Sequence, residues 1–286
     1  MSEPYYLSLS CRNQPGIVAA VATCLFEAGG NILEAHQFDD TESNHFFMRV
    51  EFDVNLSEMS HAMLQGRFTS VGQRYQMQWK LRSRAVWPRV LIMVSLYDHC
   101  LGDLLYRTRN GELPMQVVGI VSNHPKSALN AEMLGDIPFY HLPITASTKP
   151  QQESQVKSVI EQTKADLVVL ARYMQVLSDD LAGHLAGRCI NIHHSFLPGF
   201  KGAKPYTQAF ERGVKMIGAT AHYVTGDLDE GPIIAQDAQV CSHTDTAKSL
   251  SQKGRDIERQ VLSRAVLFHL EDRVLVNGTR TVVFKG

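Results

Sequence analysis

The residues best suited to chemistry lie between Asn191 and Pro232, where an amide, an imidazole and a carboxylate (Asn191, His193 and Asp229) fall in two short segments. The imidazole and carboxylate are types that general acid–base chemistry uses and the amide is a hydrogen-bond donor, provided the fold brings them together. Asn191 and His193 stand two apart at the end of the apolar run 188–193, so on a strand they share one face. The second segment, Gly226–Pro232, is acidic and punctuated by glycine, and by itself reads as a solvated turn. Ser195 lacks the glycine-framed elbow of a nucleophilic serine and reads as a loop-shaping residue. No metal is expected: there is no His-Glu-x-x-His, and the adjacent His193 and His194 point to opposite faces of a strand. The five cysteines are scattered without a Cys-x-x-Cys pair and read as small buried apolar residues.

Two blocks of elements can position these groups. In residues 5–82 the order is strand 5–11, helix 17–26, strands 31–38 and 46–54, helix 56–71 and strand 75–81, the βαββαβ ferredoxin-like pattern. Pro15-Gly16 opens the first helix and Gly29-Gly30 stops it. After a linker at 84–88 the rhythm becomes strand, helix, strand, helix. Continuous apolar runs at 90–96, 115–122, 165–171 and 188–193, with a short run at 139–144, predict strands covered on both faces. Helices are predicted at 101–109, 128–134, 152–163, 179–185 and 205–212. The runs 217–224 and 232–240 predict a strand pair, 246–271 a long helix, and Asn277-Gly278 a closing hairpin. The fold class is therefore α/β: a ferredoxin-like domain over 1–83, then an open, mostly parallel, doubly wound domain over 89–286. Such sheets bind ligands beyond the carboxyl ends of their strands, so the loops after Leu96, Ala171 and Ile192 should line one crevice.

Composition excludes several classes of partner. A net charge of −1 lacks the basic excess of a nucleic-acid binder, and no stretch is long and apolar enough to span a membrane. The chain reads as cytoplasmic.

The ordered set Asn191-Ile192-His193, Ser195-Phe196-Leu197-Pro198 and His222-x-Val224-x-x-x-Leu228-Asp229-x-Gly231-Pro232 resembles the active site of the folate-dependent formyltransferase superfamily. The resemblance implies that Asn191, His193 and Asp229 are the catalytic trio. It assigns the folate to Arg172, Met174, Gln175, Val176 and Leu177 on one side and Val224, Thr225, Gly226 and Asp227 on the other. Formyl transfer builds a tetrahedral intermediate; Asn191 and protonated His193 would donate to its oxyanion while Asp229 orients or deprotonates the nucleophile. Residues 5–82 resemble an ACT domain, whose amino-acid effector would sit near Asn13, Gly16, Ile17 and Asn31; the same Pro-Gly and Gly-Gly pairs also read as structural punctuation. Such modules pair, which implies a homo-oligomer.

The acceptor is read by elimination. A glycinamide ribonucleotide acceptor needs a phosphate cradle after the first strand, where this chain has the acidic Tyr97–Asp103. An initiator-tRNA acceptor implies a further C-terminal domain, and the sequence stops at Gly286. Water remains. The His99–Leu105 and Gly202–Tyr206 runs also resemble the superfamily's ACT-bearing hydrolytic branch, which converts 10-formyltetrahydrofolate to formate and tetrahydrofolate, feeds purine synthesis and balances the one-carbon pool. No cofactor is required. Transfer to a small amine, or an inactive folate- or amino-acid-binding regulator, stay open as alternatives. Lys201 and Lys204 could flank the folate's glutamate tail, though surface lysines are ordinarily solvated.

Overall fold

The computed structural model describes residues 2–55, 59–197 and 205–285. Pro198, Gly199, Lys201, Lys204, the Gly202–Lys204 part of the run ending at Tyr206, and the expected helix start at Leu56 lie outside the described residues. The chain divides into two compact units, Met1–Trp87 with Glu271–Asn277 and Thr281–Gly286, and Pro88–Leu270 with Gly278–Arg280.

In the first unit β1 (Ser2–Arg12), α1 (Ile17–Glu27), β2 (Asn31–Asp40), β3 (His45–Asn55), α2 (His61–Arg74) and β4 (Gln78–Ser83) follow the expected βαββαβ order. The strands form an antiparallel sheet in the order β2-β3-β1-β4. Alternate residues Tyr5, Leu7, Leu9 and Cys11 of β1 join Met48, Val50, Phe52 and Val54 of β3 in one core with α1 and α2. α2 begins later than its apolar spacing predicts because Ser60 caps it, Oγ accepting from the Met63 N–H at 3.3 Å.

The sequence assigns the end of the chain to the second domain, and here the structure corrects it. The hairpin β12 (Val274–Asn277) and β13 (Arg280–Val283) forms, but most of Glu271–Gly286 belongs to the first unit. On the sheet face opposite the helices, Arg49 is fully buried, donates from Nε to the Glu271 carbonyl at 2.8 Å and lies 4.5 Å over the Tyr6 ring. Asp272 pairs with Lys80 at 2.7 Å and Arg82 at 2.9 Å, and Asn277 donates to Asp40 at 2.6 Å. The charged face of β3 and β4 reads locally as a solvent face because its partners lie about 200 residues away in sequence.

The second unit contains β5 (Arg89–Val94), α3 (His99–Arg109), β6 (Gln116–Ser122), α4 (Ala131–Leu134), β7 (Phe139–His141), α5 (Lys149–Thr163), β8 (Leu167–Leu170), α6 (Asp179–His184), β9 (Cys189–His193), α7 (Pro205–Arg212), β10 (Met216–Tyr223), β11 (Ile233–Val240) and α8 (Ala247–Leu270). Its sheet runs β11-β10-β9-β8-β5-β6-β7, with β5 to β9 parallel and β10 antiparallel to both neighbours. The helix expected over 128–134 splits into a 3-10 turn at Lys126–Ala128 and the single turn α4. Val90 to Val94 are all fully buried, as a strand covered on both faces requires. The chain leaves β5 toward β6 on one side and reaches β8 on the other, so strand order reverses at β5 and a crevice opens at the carboxyl ends.

Candidate active site

β9 delivers Asn191 and His193 to one face, as the two-residue period requires. Its antiparallel neighbour β10 sets His222 directly opposite Asn191 and Thr220 opposite His193. The connection from β10 to β11 then folds back, closed by the Tyr223 N–H donating to the Pro232 carbonyl at 3.0 Å. Gly231 is obligatory there: a Cβ would lie 1.8 Å from the Tyr223 carbonyl oxygen. Asp229 takes a left-handed backbone, φ 59, and so turns into the crevice.

The three groups converge. His193 Nδ1 stands 3.1 Å from Asp229 Oδ2, and His222 Nε2 is 3.5 Å from Oδ1. Asn191 Nδ2 lies 3.2 Å from His222 Nε2, while Nδ1 of His222 is 2.9 Å from the Tyr223 carbonyl and so carries a proton to donate to it. Nε2 of the neutral ring then accepts from Asn191 and fixes the amide's orientation, while in the imidazolium form it donates to Asp229. Burial disfavours charge on Asp229, but hydrogen bonds from His193 and His222 outweigh it and hold the carboxyl well below the usual carboxylate range. Asp229 is therefore ionised at neutral pH. Among the described residues, the buried Nε2 of His193 has no hydrogen-bond partner. An imidazole braced on one side by a carboxylate and unsatisfied on the other is a donor waiting for a ligand.

These groups share one cavity of about 290 Å³ with every residue the sequence assigns to the folate: Arg172, Met174, Gln175, Val176 and Leu177 from the loop after β8, and Val224, Thr225, Gly226 and Asp227 from the loop after β10. Met174, Val176 and Leu228 are about half exposed on its wall, a cluster of apolar side chains that suits a flat heteroaromatic ligand. The loop after β8 is pinned by Ser95, whose N–H donates to the Arg172 carbonyl at 3.2 Å and whose Oγ accepts from the Met174 N–H at 3.0 Å. Sequence reasoning left His222 out of the candidate catalytic set although it opens the second motif; only strand register shows that it faces Asn191. In the other unit, Asn13 and Asn31 lie near the surface and Gly16 has φ 90, but Ile17 is 2% exposed and its side chain is core. Only its main chain is left for an effector.

A further polar group lies beside the crevice. His99, Cys100 and Glu258 bring metal-ligand atom types within 4.8 Å, but the Glu258 charge is already faced by Arg172, Nε to Oε2 3.4 Å.

Fold and site together define a formyl transferase domain joined to an ACT domain: residues 88–266 match the formyl transferase family and residues 5–59 the ACT domain. The chain is 50% identical over 281 residues to the formyltetrahydrofolate deformylase of Corynebacterium sp. (strain P-1), covering 98% of each. The solved formyltetrahydrofolate deformylase of Burkholderia mallei is 51% identical with a TM-score of 0.93, covering 99% of this chain and 100% of that one. Glycinamide ribonucleotide transformylase 1 of Symbiobacterium toebii is 27% identical with a TM-score of 0.64 and covers 70% of this chain. The chain belongs to the formyltetrahydrofolate deformylase family.

Proposed function

We infer that the protein hydrolyses 10-formyltetrahydrofolate to formate and tetrahydrofolate at the crevice between the loops after β8, β9 and β10. The carrying observation is the convergence of ionised Asp229, braced His193 and His222-oriented Asn191 on one wall of a cavity whose other wall is exposed and apolar. In this reading the pteridine end of the folate lies on Met174, Val176 and Leu228, and the formyl oxygen receives hydrogen bonds from Asn191 Nδ2 and His193 Nε2. The water oxygen bonds to the formyl carbon while Asp229 accepts its hydrogen bond. The tetrahedral intermediate then breaks the carbon–nitrogen bond, and the leaving nitrogen takes up a proton, so atoms balance without a cofactor. Asp229, held far below neutrality, relays that proton rather than keeping it. His193 as the imidazolium supplies the charge that opposes the oxyanion.

The remaining parts of the reading have their own support. The ACT module would hold an amino-acid effector near Asn13, Gly16 and Asn31, with the Ile17 N–H at the start of α1, where helix N–H groups are free. Residues 1–83 would act as the regulatory domain and 89–270 as the catalytic one. A homo-oligomer is favoured by the sheet edge β2, which leaves Ile32, Leu33 and Phe38 39–51% exposed. All five cysteines are free thiols, which suits the reducing cytoplasm. The decisive assay is incubation with 10-formyltetrahydrofolate and no amine, followed by formate determination. Formate release supports the hydrolase; turnover only on adding an amine replaces it with a transferase, and folate binding without turnover replaces it with a regulator.

A further inference from the structure

Glu258, halfway along α8, takes no part in the chemistry above, yet it is 1% exposed and heavily contacted. Its carboxylate meets His99 Nε2 at 2.8 Å, accepts from the Tyr206 hydroxyl at 2.5 Å and faces Arg172 Nε at 3.4 Å. The surroundings are built for this. Gly254, one turn earlier on the same helix face, leaves room for the Tyr206 ring, since a Cβ there would lie 2.0 Å from Tyr206 Cζ.

Arg172 is the link to the crevice. It heads the loop after β8, lines the cavity, is 8% exposed and has φ 65, a left-handed conformation that a long side chain adopts only when its surroundings over-determine it. Ser95 holds its carbonyl, but its guanidinium is held differently. Among the described residues, Nε and Nη1 have no hydrogen-bond partner, the Tyr97 ring lies 5.6 Å away, and Glu258 is the facing carboxylate. A buried cation stays in place only while its counter-charge does.

We propose that Glu258 is a positioning residue for the crevice: by neutralising buried Arg172 it keeps the left-handed turn that sets Met174 and Val176 to receive the pteridine end of the folate. The proposal rests on the reading of that loop as the folate site, and assigns Glu258 a role in binding rather than in the chemical step. A metal at His99, Cys100 and Glu258 is disfavoured by the same pairing, because the guanidinium already supplies the positive charge.

The test is a double-substitution cycle with Glu258→Gln and Arg172→Gly. Glycine accepts the left-handed backbone and removes the buried cation together. Two readouts are used: the Kd for tetrahydrofolate by equilibrium fluorescence titration, and kcat and KM for 10-formyltetrahydrofolate. Glu258→Gln should raise Kd and KM about tenfold or more, the scale of a lost buried pair, and change kcat far less; Glu258→Asp, which keeps the charge, should recover most of the loss. In the Arg172→Gly background, Glu258→Gln should shift Kd less than about twofold, within the scatter of such cycles, because a residue that acts only through Arg172 has nothing left to act on. An equal rise in both backgrounds, or an unchanged KM in Glu258→Gln, overturns the proposal. If Glu258→Gln alone does not fold, the doubly substituted protein should, because no orphaned cation remains; failure of both shows that Glu258 serves only the packing of α8 and also overturns it. Absence of formate from the unsubstituted enzyme sinks the hydrolase reading instead, while the tetrahydrofolate cycle still decides the role of Glu258.

Discussion

Asp229→Asn isolates the charge of the proposed reacting trio. Asp229 sits at φ 59, and asparagine is among the few residues besides glycine that accept this backbone readily, so the turn should survive. The amide can still accept from His193 Nδ1 and present its NH2 to His222 Nε2, and geometry is largely kept. What disappears is the attraction between carboxylate and imidazolium. At 3.1 Å and an effective dielectric constant of about 20, that attraction is about 5 kcal/mol. The neutral hydrogen bond that remains is worth about 1 kcal/mol, which leaves a deficit of about 4 kcal/mol in the transition state. Such a deficit lowers kcat by roughly 10³-fold. Formate release at saturating 10-formyltetrahydrofolate measures kcat, and the concentration dependence gives KM, which should stay within about threefold because the apolar wall is untouched. A variant with kcat within about fivefold of the parent, or one whose loss lies wholly in KM, would refute the assignment of Asp229 to the chemical step.

Other perturbations follow from the same geometry. Because the Asp229 carboxyl is depressed by its histidines, its contribution to stability is full above about pH 4, where the unfolded carboxyl ionises, and fades as pH falls toward its lower folded value. The urea-midpoint difference between parent and Asp229→Asn should accordingly shrink only below that pH; a difference that vanishes near neutrality contradicts the depressed carboxyl. Burial raises the Tyr173 phenol to about 12. Relative to an unfolded value near 10, its stabilisation, about 3 kcal/mol, is complete below about pH 10 and lost as pH rises through about 12. Tyr173→Phe should flatten the alkaline fall in stability, and an unaltered fall would show that another group causes it. Gly231→Ala forces a methyl onto the Tyr223 carbonyl oxygen, so melting temperature and turnover should both drop, by about 1–3 kcal/mol in stability. Asp272 has φ 51, a left-handed backbone that asparagine also accepts, so Asp272→Asn keeps the turn but breaks the pairs with Lys80 and Arg82; a loss of about 1–2 kcal/mol in urea unfolding is expected, less than for a fully buried pair because Lys80 is exposed.

Much of the architecture was legible because hydrophobic period carries it. The alternation of Tyr5, Leu7 and Leu9 and the unbroken Val90–Val94 run each correspond to one strand environment, and their order restricts the topology to two α/β units. Boundaries were less legible where a cap overrides periodicity, as Ser60 does for α2. The C-terminal hairpin was placed with the wrong unit because charged residues such as Arg49 and Lys80 look solvent-facing until distant partners cover them. At the site, motif spacing singled out Asn191, His193 and Asp229, which the structure brings together, and the nine residues proposed for the folate line the same cavity.

By itself, then, the sequence determined which groups are available: the period-two pair Asn191 and His193, the glycine-framed Asp229, and the loop from Arg172 to Leu177. Only tertiary structure decided how those groups are charged and oriented. Antiparallel register sets His222 against Asn191, the approach of His193 and His222 from two adjacent strands lowers the Asp229 carboxyl, and α8 brings Glu258 to Arg172 across 86 residues of chain. Proton affinity and donor direction depend on distances of 3–4 Å between residues far apart in sequence, and no local pattern encodes those distances.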